Sequence, residues 1–127
     1  MNFLSYTHPV LSCQEAKVLE SCALVDEAAE WAAMKLAGQG IAKHLVQDYA
    51  ELRSPPEYLR ILALIGKGNN GGDALIACGQ LLADFPRARV ELILTLPAEE
   101  LRPLAVRALQ QLEGRVEVHQ ISDQNDV

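Results

Sequence analysis

The sequence contains no apolar run long enough to cross a membrane, because no uninterrupted apolar stretch approaches the roughly 18 residues that a bilayer requires. Its start, Met1 to Val10, lacks the basic segment and apolar core of a secretory leader. Basic residues are a minority, 11 against 17 acidic ones, and the net charge of −6 opposes non-specific attraction to nucleic acid or an anionic membrane. We therefore expect a cytoplasmic protein with small molecules or proteins as partners, and no nucleic acid or membrane.

Cysteine and histidine are also scarce. The three cysteines are Cys13, Cys22 and Cys78, and the three histidines are His8, His44 and His119. The cysteines match no metal-ligand or redox spacing, so we expect reduced thiols that lie mostly in the core. The histidines are scattered without a second ligand at helical spacing, which argues against a metal site built from them.

Two helices are predicted in the first part of the chain, residues 12–53. Ser12 and Glu15 form a capping-box pattern that starts a helix near Cys13, and Asp26 is the next N-cap candidate. Apolar residues then recur at helical spacing and predict the buried face of a long second helix: Trp31, Met34, Gly38, Ile41 and Leu45.

Two glycines lie inside that second predicted helix. Gly38 and Gly40 would each cost about 1 kcal/mol relative to alanine, so we expect a strand or a ligand to approach the backbone closely there. The residues Arg53-Ser54-Pro55-Pro56 end the helical region, because the residue before a proline avoids the α conformation.

From residue 60 to residue 121 the pattern alternates between strand and helix. The run 61–65 reads as a buried parallel strand, and a helix is predicted over Ala74–Asp84. Arg89–Thr95 predicts a second strand and Arg115–Ile121 a third. Between them a helical region opens at Pro97, or alternatively at Pro103, and ends near Gly114. This order predicts an α/β fold with a parallel sheet, and since doubly wound sheets rarely stop at three strands, we expect the sheet to be incomplete.

The segment between the first strand and its helix, Gly66–Asp73, carries four glycines and two asparagines. Glycines let backbone N–H groups turn toward a ligand, and a helix N-terminus favours negative charge. We therefore expect this loop to hold an anion or a nucleotide, with Asp73 capping the helix. Lys67 is either a solvated side chain or a phosphate contact. A tight turn without a ligand is the alternative.

Two common nucleotide-binding classes fit this loop poorly. Gly66 to Gly71 satisfies the pattern G-x-G-x-x-G, but the next strand ends at Thr95-Leu96 without the acidic residue that holds a ribose in dehydrogenases. A P-loop fits less well still, because Gly72 and Asp73 occupy the positions of its Lys and Ser or Thr, so both classes are disfavoured.

The segment Ile65–Ala77 resembles the signature of the YjeF amino-terminal domain family, the NAD(P)HX epimerases, which usually reads G-P-G-N-N-G-G-D-G-L-V-A. Pro9–Ser12 with Glu15 and Glu20 is similar to the opening helix of that family, and Met34–Gly38 is similar to its M-E-x-A-G segment. The resemblance spans nearly the whole chain. It implies that residues 1–127 are the front part of a single nucleotide-binding domain with a Rossmann-like three-layer fold and a mainly parallel sheet, preceded by two amino-terminal helices.

The resemblance also implies an activity, which is the interconversion of the R and S epimers of hydrated NADH and NADPH in nicotinamide nucleotide repair. The residues that it assigns to the substrate are Asn69, Asn70, Gly71, Gly72 and Asp73, and Asn70 would also help hold a potassium ion. An ADP- or ATP-dependent dehydratase is the implied partner, either fused behind this domain or separate. The resemblance leaves open whether the protein forms a homodimer.

Three residues depart from the family pattern: Lys67 replaces a proline, Ala74 a glycine and Lys35 an acidic residue. The catalytic aspartate of the family and a second glycine-containing loop are expected beyond Val127, so we expect this chain alone to be inactive. A non-catalytic nucleotide- or protein-binding module on the same fold is the alternative function, and half of a dehydrogenase is a third that rests only on the glycine pattern.

Overall fold

The computed structural model describes residues 9–121, so His8 lies outside the described part of the chain. The chain forms two compact units, Met1–Glu30 and Trp31–Val127. The helices are α1 (Cys13–Ala23), α2 (Glu27–Leu52), α3 (Asn69–Asp84) and α4 (Pro103–Gln111), and the strands are β1 (Arg60–Ile65), β2 (Arg89–Leu94) and β3 (Glu117–Gln120). The predicted α/β class and order of elements are confirmed.

Helix α1 begins where the capping box predicts. The Glu15 N–H donates to Ser12 Oγ at 3.2 Å, and the Ser12 N–H donates to Glu15 Oε1 at 3.1 Å. Hydrogen bonds from the Ser12 side chain and from the Ser12 backbone N–H to the Glu15 carboxylate lower the pKa of Glu15, because they favour its charged form. No residue of α1 is buried. The capping box is therefore the local signal that fixes the start of this helix.

Helix α2 is capped by Asp26, whose Oδ1 accepts a hydrogen bond from the Ala29 N–H at 2.8 Å. The buried residues of α2 are Trp31, Met34, Gly38 and Ala42. The predicted burial of Ile41 and Leu45 is wrong, since their side chains are 42% and 53% exposed. Ala42, which is fully buried, packs instead against Ala77 and Leu81 of α3.

A close approach at Gly38 is present, but it is made by helix α3 and not by the strand or ligand that was expected. A Cβ at Gly38 would overlap the side chain of Ile76 and lie 2.8 Å from the Asp73 carbonyl oxygen. The matching expectation for Gly40 is wrong, because a Cβ there would meet nothing within 4 Å. Gly38 is therefore a helix-packing residue, and Gly40 lies in open space.

The sheet is parallel throughout, in the order β1-β2-β3. Helices α3 and α4 pack on one face of it around the buried side chains of Ile65, Leu92 and Leu94. The expectation that β1 is buried on both faces is wrong, because Leu62 and Leu64 on its other face are 62% and 67% exposed. An apolar run reads the same whether one face or both are covered.

Three local expectations also change. Helix α3 begins at Asn69, five residues before the predicted Ala74, so the Asn-Asn-Gly-Gly-Asp segment is helical. Pro103 occupies the first turn of α4, and the residues after Pro97 form a separate short 3₁₀ helix, Ala98–Glu100. Cys78 is buried, whereas Cys13 and Cys22 are exposed, so the expectation that the thiols lie mostly in the core is wrong.

Among residues 9–121, none of the helices combines the length and the apolar composition that crossing a bilayer demands.

Candidate functional site

The turn from β1 into α3 exposes the first amides of the helix. Gly68 is the N-cap residue, and no side chain caps the helix in its place. The Gly71 N–H donates to the Gly68 carbonyl at 3.1 Å, but the amides of Asn69 and Asn70 precede the first position that has an acceptor within the helix. These amides and the positive end of the helix dipole therefore face the space beyond β1, which suits an anion.

Gly71 and Gly72 let this helix start close to its neighbours. A Cβ on Gly71 would lie 2.5 Å from the Gly66 carbonyl oxygen, and one on Gly72 would lie 2.5 Å from the end of the Met34 side chain. By contrast, a Cβ on Gly66 or Gly68 would meet nothing within 4 Å. The structure thus gives Gly71 and Gly72 a packing role, and their contact with a substrate stays a prediction.

The polar residues of the first α3 turns have different surroundings. Asn70 is exposed, and its side chain has no hydrogen-bond partner among residues 9–121. Asp73 is half-buried, and desolvation by burial raises the pKa of its carboxyl group. The expectation that Asp73 caps the helix is wrong, because the helix starts at Asn69 and Asp73 already lies within it.

Arg102, which the sequence patterns did not single out, faces the same helix start. It is the N-cap residue of α4, and its Nη1 donates to Asn69 Oδ1 at 3.5 Å, at the long end of hydrogen-bond geometry. The connections that follow parallel strands meet at the carboxyl edge of the sheet, and this places Arg102 beside the glycine turn. The only sequence signal was a basic residue just before the first proline of a helix.

The ends of β1 and β2 are tied together beneath this turn. Both the backbone N–H and the Oγ1 of Thr95 donate to the Ile65 carbonyl at 3.1 Å. The strand ends are therefore held in register next to Gly66. Open amides, the Asn69 and Asn70 carboxamides and a guanidinium together form a set of donors that can hold a phosphate group.

The three departures from the family pattern lie in different places. Lys67 is exposed in the turn itself. Ala74 packs against the hydrophobic core, so its methyl group lies against the protein interior. Lys35 lines a cleft that also includes Ile76 and Gly79. Of the three, only Lys67 changes the charge of the turn.

A second polar cluster lies on the exposed face of the sheet. The ligand atoms of Glu91, Glu117 and His119 lie within 4.8 Å of one another, a grouping that the scattered histidines did not predict. Arg89 already pairs with both carboxylates, at 2.8 Å from Glu117 and 3.4 Å from Glu91, and Arg60 is 3.8 Å from Glu91. The pairing with Glu117, and then with Glu91, raises the pKa of Arg89. The cluster is therefore a cross-strand salt-bridge network.

Curated proteins are similar to parts of this chain. The Salinibacter ruber bifunctional NAD(P)H-hydrate repair enzyme Nnr is 37% identical over 79 residues, which are 62% of this chain and 14% of that protein. The Paramecium tetraurelia NAD(P)H-hydrate epimerase is 48% identical over 48 residues, which are 38% of this chain and 19% of that protein. The Arabidopsis thaliana chloroplastic pyridoxine/pyridoxamine 5'-phosphate oxidase 1 is also 48% identical over 48 residues, 38% of this chain and 8% of that protein.

Each of these matches spans less than one fifth of the relative's length. The crystal structure of the yeast protein ynu0 matches 93% of this chain and 49% of its own, with a TM-score of 0.69 and 21% identity, which shows a shared fold. The family model described as the YjeF-related protein N-terminus matches residues 31–127. Because that match covers most of the chain, the protein belongs to the family of YjeF-related protein N-termini.

Proposed function

We propose that this chain is the nucleotide-binding part of an NAD(P)H-hydrate epimerase, which interconverts the R and S epimers of hydrated NADH and NADPH. The proposal rests on the family match over residues 31–127, together with the names of two relatives. The single structural observation that supports it is the uncapped start of α3, which presents free amides beside the end of β1. In doubly wound folds, the pyrophosphate of a bound dinucleotide lies at the N-terminus of a helix that follows a strand in this way.

In the proposed complex, the α3 amides and Arg102 bind the phosphates, and the carboxamides of Asn69 and Asn70 add donors or acceptors. Asp73 is half-buried, and desolvation by burial raises the pKa of its carboxyl group. The proposal covers binding of the nucleotide and names no catalytic residue among residues 9–121.

A potassium ion belongs to the same proposal through Asn70. The Asn70 carboxamide fits this role in part, because it is exposed and has no protein partner among residues 9–121, so its oxygen is free to bind a hard cation. One amide oxygen is only a fraction of a coordination shell. When bound, the ion would supply positive charge beside the phosphates. Replacing potassium by sodium in the binding assay should lower nucleotide affinity, and equal affinity would remove the ion from the proposal.

The experiment that tests the proposed function is the epimerisation of hydrated NADH by the full-length protein. We expect Asn70→Ala to lower the rate at least tenfold, since it removes an interaction worth about 1.4 kcal/mol or more with a charged ligand. The matched control is Gln110→Ala, which removes an exposed carboxamide from α4, away from the glycine turn. Circular dichroism checks that both variants fold. Equal rates for both variants would contradict the role of Asn70.

The same assay separates the epimerase from the alternative, a non-catalytic binding module. Such a module would bind the hydrated nucleotide in an Asn70-dependent way but would not epimerise it at all. Lys67, an added cation in the turn, is the feature compatible with either function. We also propose a dehydratase as the partner, either fused to this chain or separate, and a homodimer. The name of the bifunctional Salinibacter ruber relative supports the first of them.

A further inference from the structure

A cleft of about 280 Å³ lies between α2, α3 and α4, apart from the glycine turn. Aliphatic side chains of α3 and α4 form part of its lining, together with the backbone of Gly79. Three carboxamides, those of Gln39, Gln80 and Gln111, lie around it. Carboxamides can donate or accept hydrogen bonds, although Nε2 of Gln80 already donates to Asp84 Oδ1 at 3.1 Å. The lining thus combines an apolar surface with adaptable polar groups, as small-molecule sites do.

The cleft is lined by basic side chains, whereas the whole chain carries a net negative charge. The sequence has six more acidic than basic residues, yet among residues 9–121 the two charged side chains that line the cleft, Lys35 and Arg115, are both basic. Within residues 9–121, neither of them takes part in a salt bridge. Two cations on the walls of one concave site raise the local concentration of anions.

Local structure explains how the two cations reach the same cleft. Lys35 follows the buried Met34 on α2, so the packing of Met34 fixes the position of the Lys35 backbone. At the end of α4, Gly114 has φ +77°, a left-handed conformation that reverses the chain. The Arg115 N–H then donates to the Leu112 carbonyl at 2.9 Å, which holds Arg115 against the end of α4.

Gly79 lines the cleft with its backbone. A Cβ there would lie 3.4 Å from Cδ2 of Leu112, another lining residue, in ordinary van der Waals contact. A glycine in the middle of a helix costs about 1 kcal/mol relative to alanine, so the residue is unfavourable for the helix itself.

We propose that this cleft is a binding site for a small organic anion, which has a carboxylate or phosphate group and a compact apolar body. Lys35 and Arg115 bind the anionic group, the glutamines add hydrogen bonds, and the apolar body lies on Gly79 and its aliphatic neighbours. Lys35 stands where the family pattern has an acidic residue, so this site distinguishes the present chain from that pattern. The proposal is independent of the nucleotide site at α3.

Amide-resolved NMR titration of the full chain tests the proposal, with phenyl phosphate, benzoate and inorganic phosphate as probes. We expect saturable shifts at the amides of Lys35, Gly79, Gln111 and Arg115, and tighter binding of phenyl phosphate or benzoate than of inorganic phosphate. The two organic probes distinguish a phosphate from a carboxylate preference. Lys35→Glu should weaken binding of the better probe at least tenfold, because it replaces an attraction by a repulsion.

The matched control is Lys43→Glu, which makes the same change of charge two turns further along α2, at a residue that lines a neighbouring cleft and not this one. Gly79→Leu is a second variant, and it should abolish binding of the organic probes by adding a large side chain to the cleft lining. Equal weakening by Lys35→Glu and Lys43→Glu would show a general charge effect and overturn the proposal. Shifts confined to residues 66–73, or no saturable shift at all, would also overturn it.

Discussion

The residues at the start of α3 divide between packing and binding roles in a way that their common motif conceals. Gly71 and Gly72 are next to atoms that a Cβ would strike, while Asn70 is exposed without a partner among residues 9–121. Arg102 adds a cation from the following connection. The motif is therefore both a packing device and a set of free donors, and substitutions within it should separate into loss of stability and loss of binding.

Asp73 should make the protein's stability depend on pH. Burial raises the pKa of its carboxyl group, so the folded state keeps a proton that the unfolded chain has already released. Its contribution to the free energy of unfolding is thus full below the ordinary pKa of aspartate and is lost as the pH rises through the folded pKa. We expect Asp73→Asn to remove this loss, so that the variant gains stability over the parent as pH rises from about 3 to about 7.

Urea unfolding at a series of pH values measures that difference. Glu15 provides the comparison of opposite sign, because hydrogen bonds with Ser12 lower its pKa. Its contribution is present above the ordinary pKa of glutamate and is lost as the pH falls, so Glu15→Gln should lose stability relative to the parent as the pH rises. Parallel curves for Asp73→Asn and the parent would contradict the assignment of a desolvated carboxyl.

The packing of α2 on α3 depends on one of two neighbouring glycines. A Cβ at Gly38 would overlap Ile76 close to its backbone and approach the Asp73 carbonyl oxygen, so the helices would have to separate. We expect Gly38→Ala to destabilise the protein by about 1 to 3 kcal/mol, the usual cost of overpacking. Thermal and urea unfolding measure it.

Gly40 is the matched control for that substitution. It lies on the same helix, and a Cβ there would meet no atom within 4 Å. Gly40→Ala should therefore stabilise the protein by up to about 1 kcal/mol, because alanine favours the helix. If both variants shifted stability in the same direction, helix propensity rather than the approach of α3 would govern this face of α2.

At the scale of the whole molecule, helix α1 and the unit Trp31–Val127, here called the sheet unit, differ in the burial of their residues. No residue of α1 is buried, whereas the core of the unit Trp31–Val127 is built from α2, α3, α4 and the sheet. We expect a chain that lacks residues 1–24, but keeps the Asp26 cap of α2, to unfold cooperatively. Its free energy of unfolding should lie within about 1 kcal/mol of that of the full chain.

Urea unfolding followed by tryptophan fluorescence measures this difference, because Trp31 is the only tryptophan and belongs to the core of that unit. Arg107 lies over the Trp31 ring at 4.1 Å, so the signal also reports on the contact between α2 and α4. A broad or non-cooperative transition in the shortened chain would show that α1 contributes to the folding of the sheet unit.

Much of the fold could be predicted because its signals are local. The capping box at Ser12, the Asp26 cap and the alternation of strand and helix after residue 60 depend on residues within a turn or a strand of one another. The glycine turn was recognised for the same reason. The predicted start of α3 is five residues too late. The asparagines and glycines of the motif are typical of a loop, whereas in the structure Gly68 is already the N-cap.

The local order of residues therefore established where helices and strands form and which turn carries the free amides. Only the tertiary structure decided that Ala42 rather than Ile41 is buried, that one face of β1 is exposed, and that Arg102 meets Asn69. It also decided that Lys35 and Arg115 share a cleft. These outcomes depend on which faces meet across tens of residues, and no short-range preference for backbone conformation or burial encodes that choice.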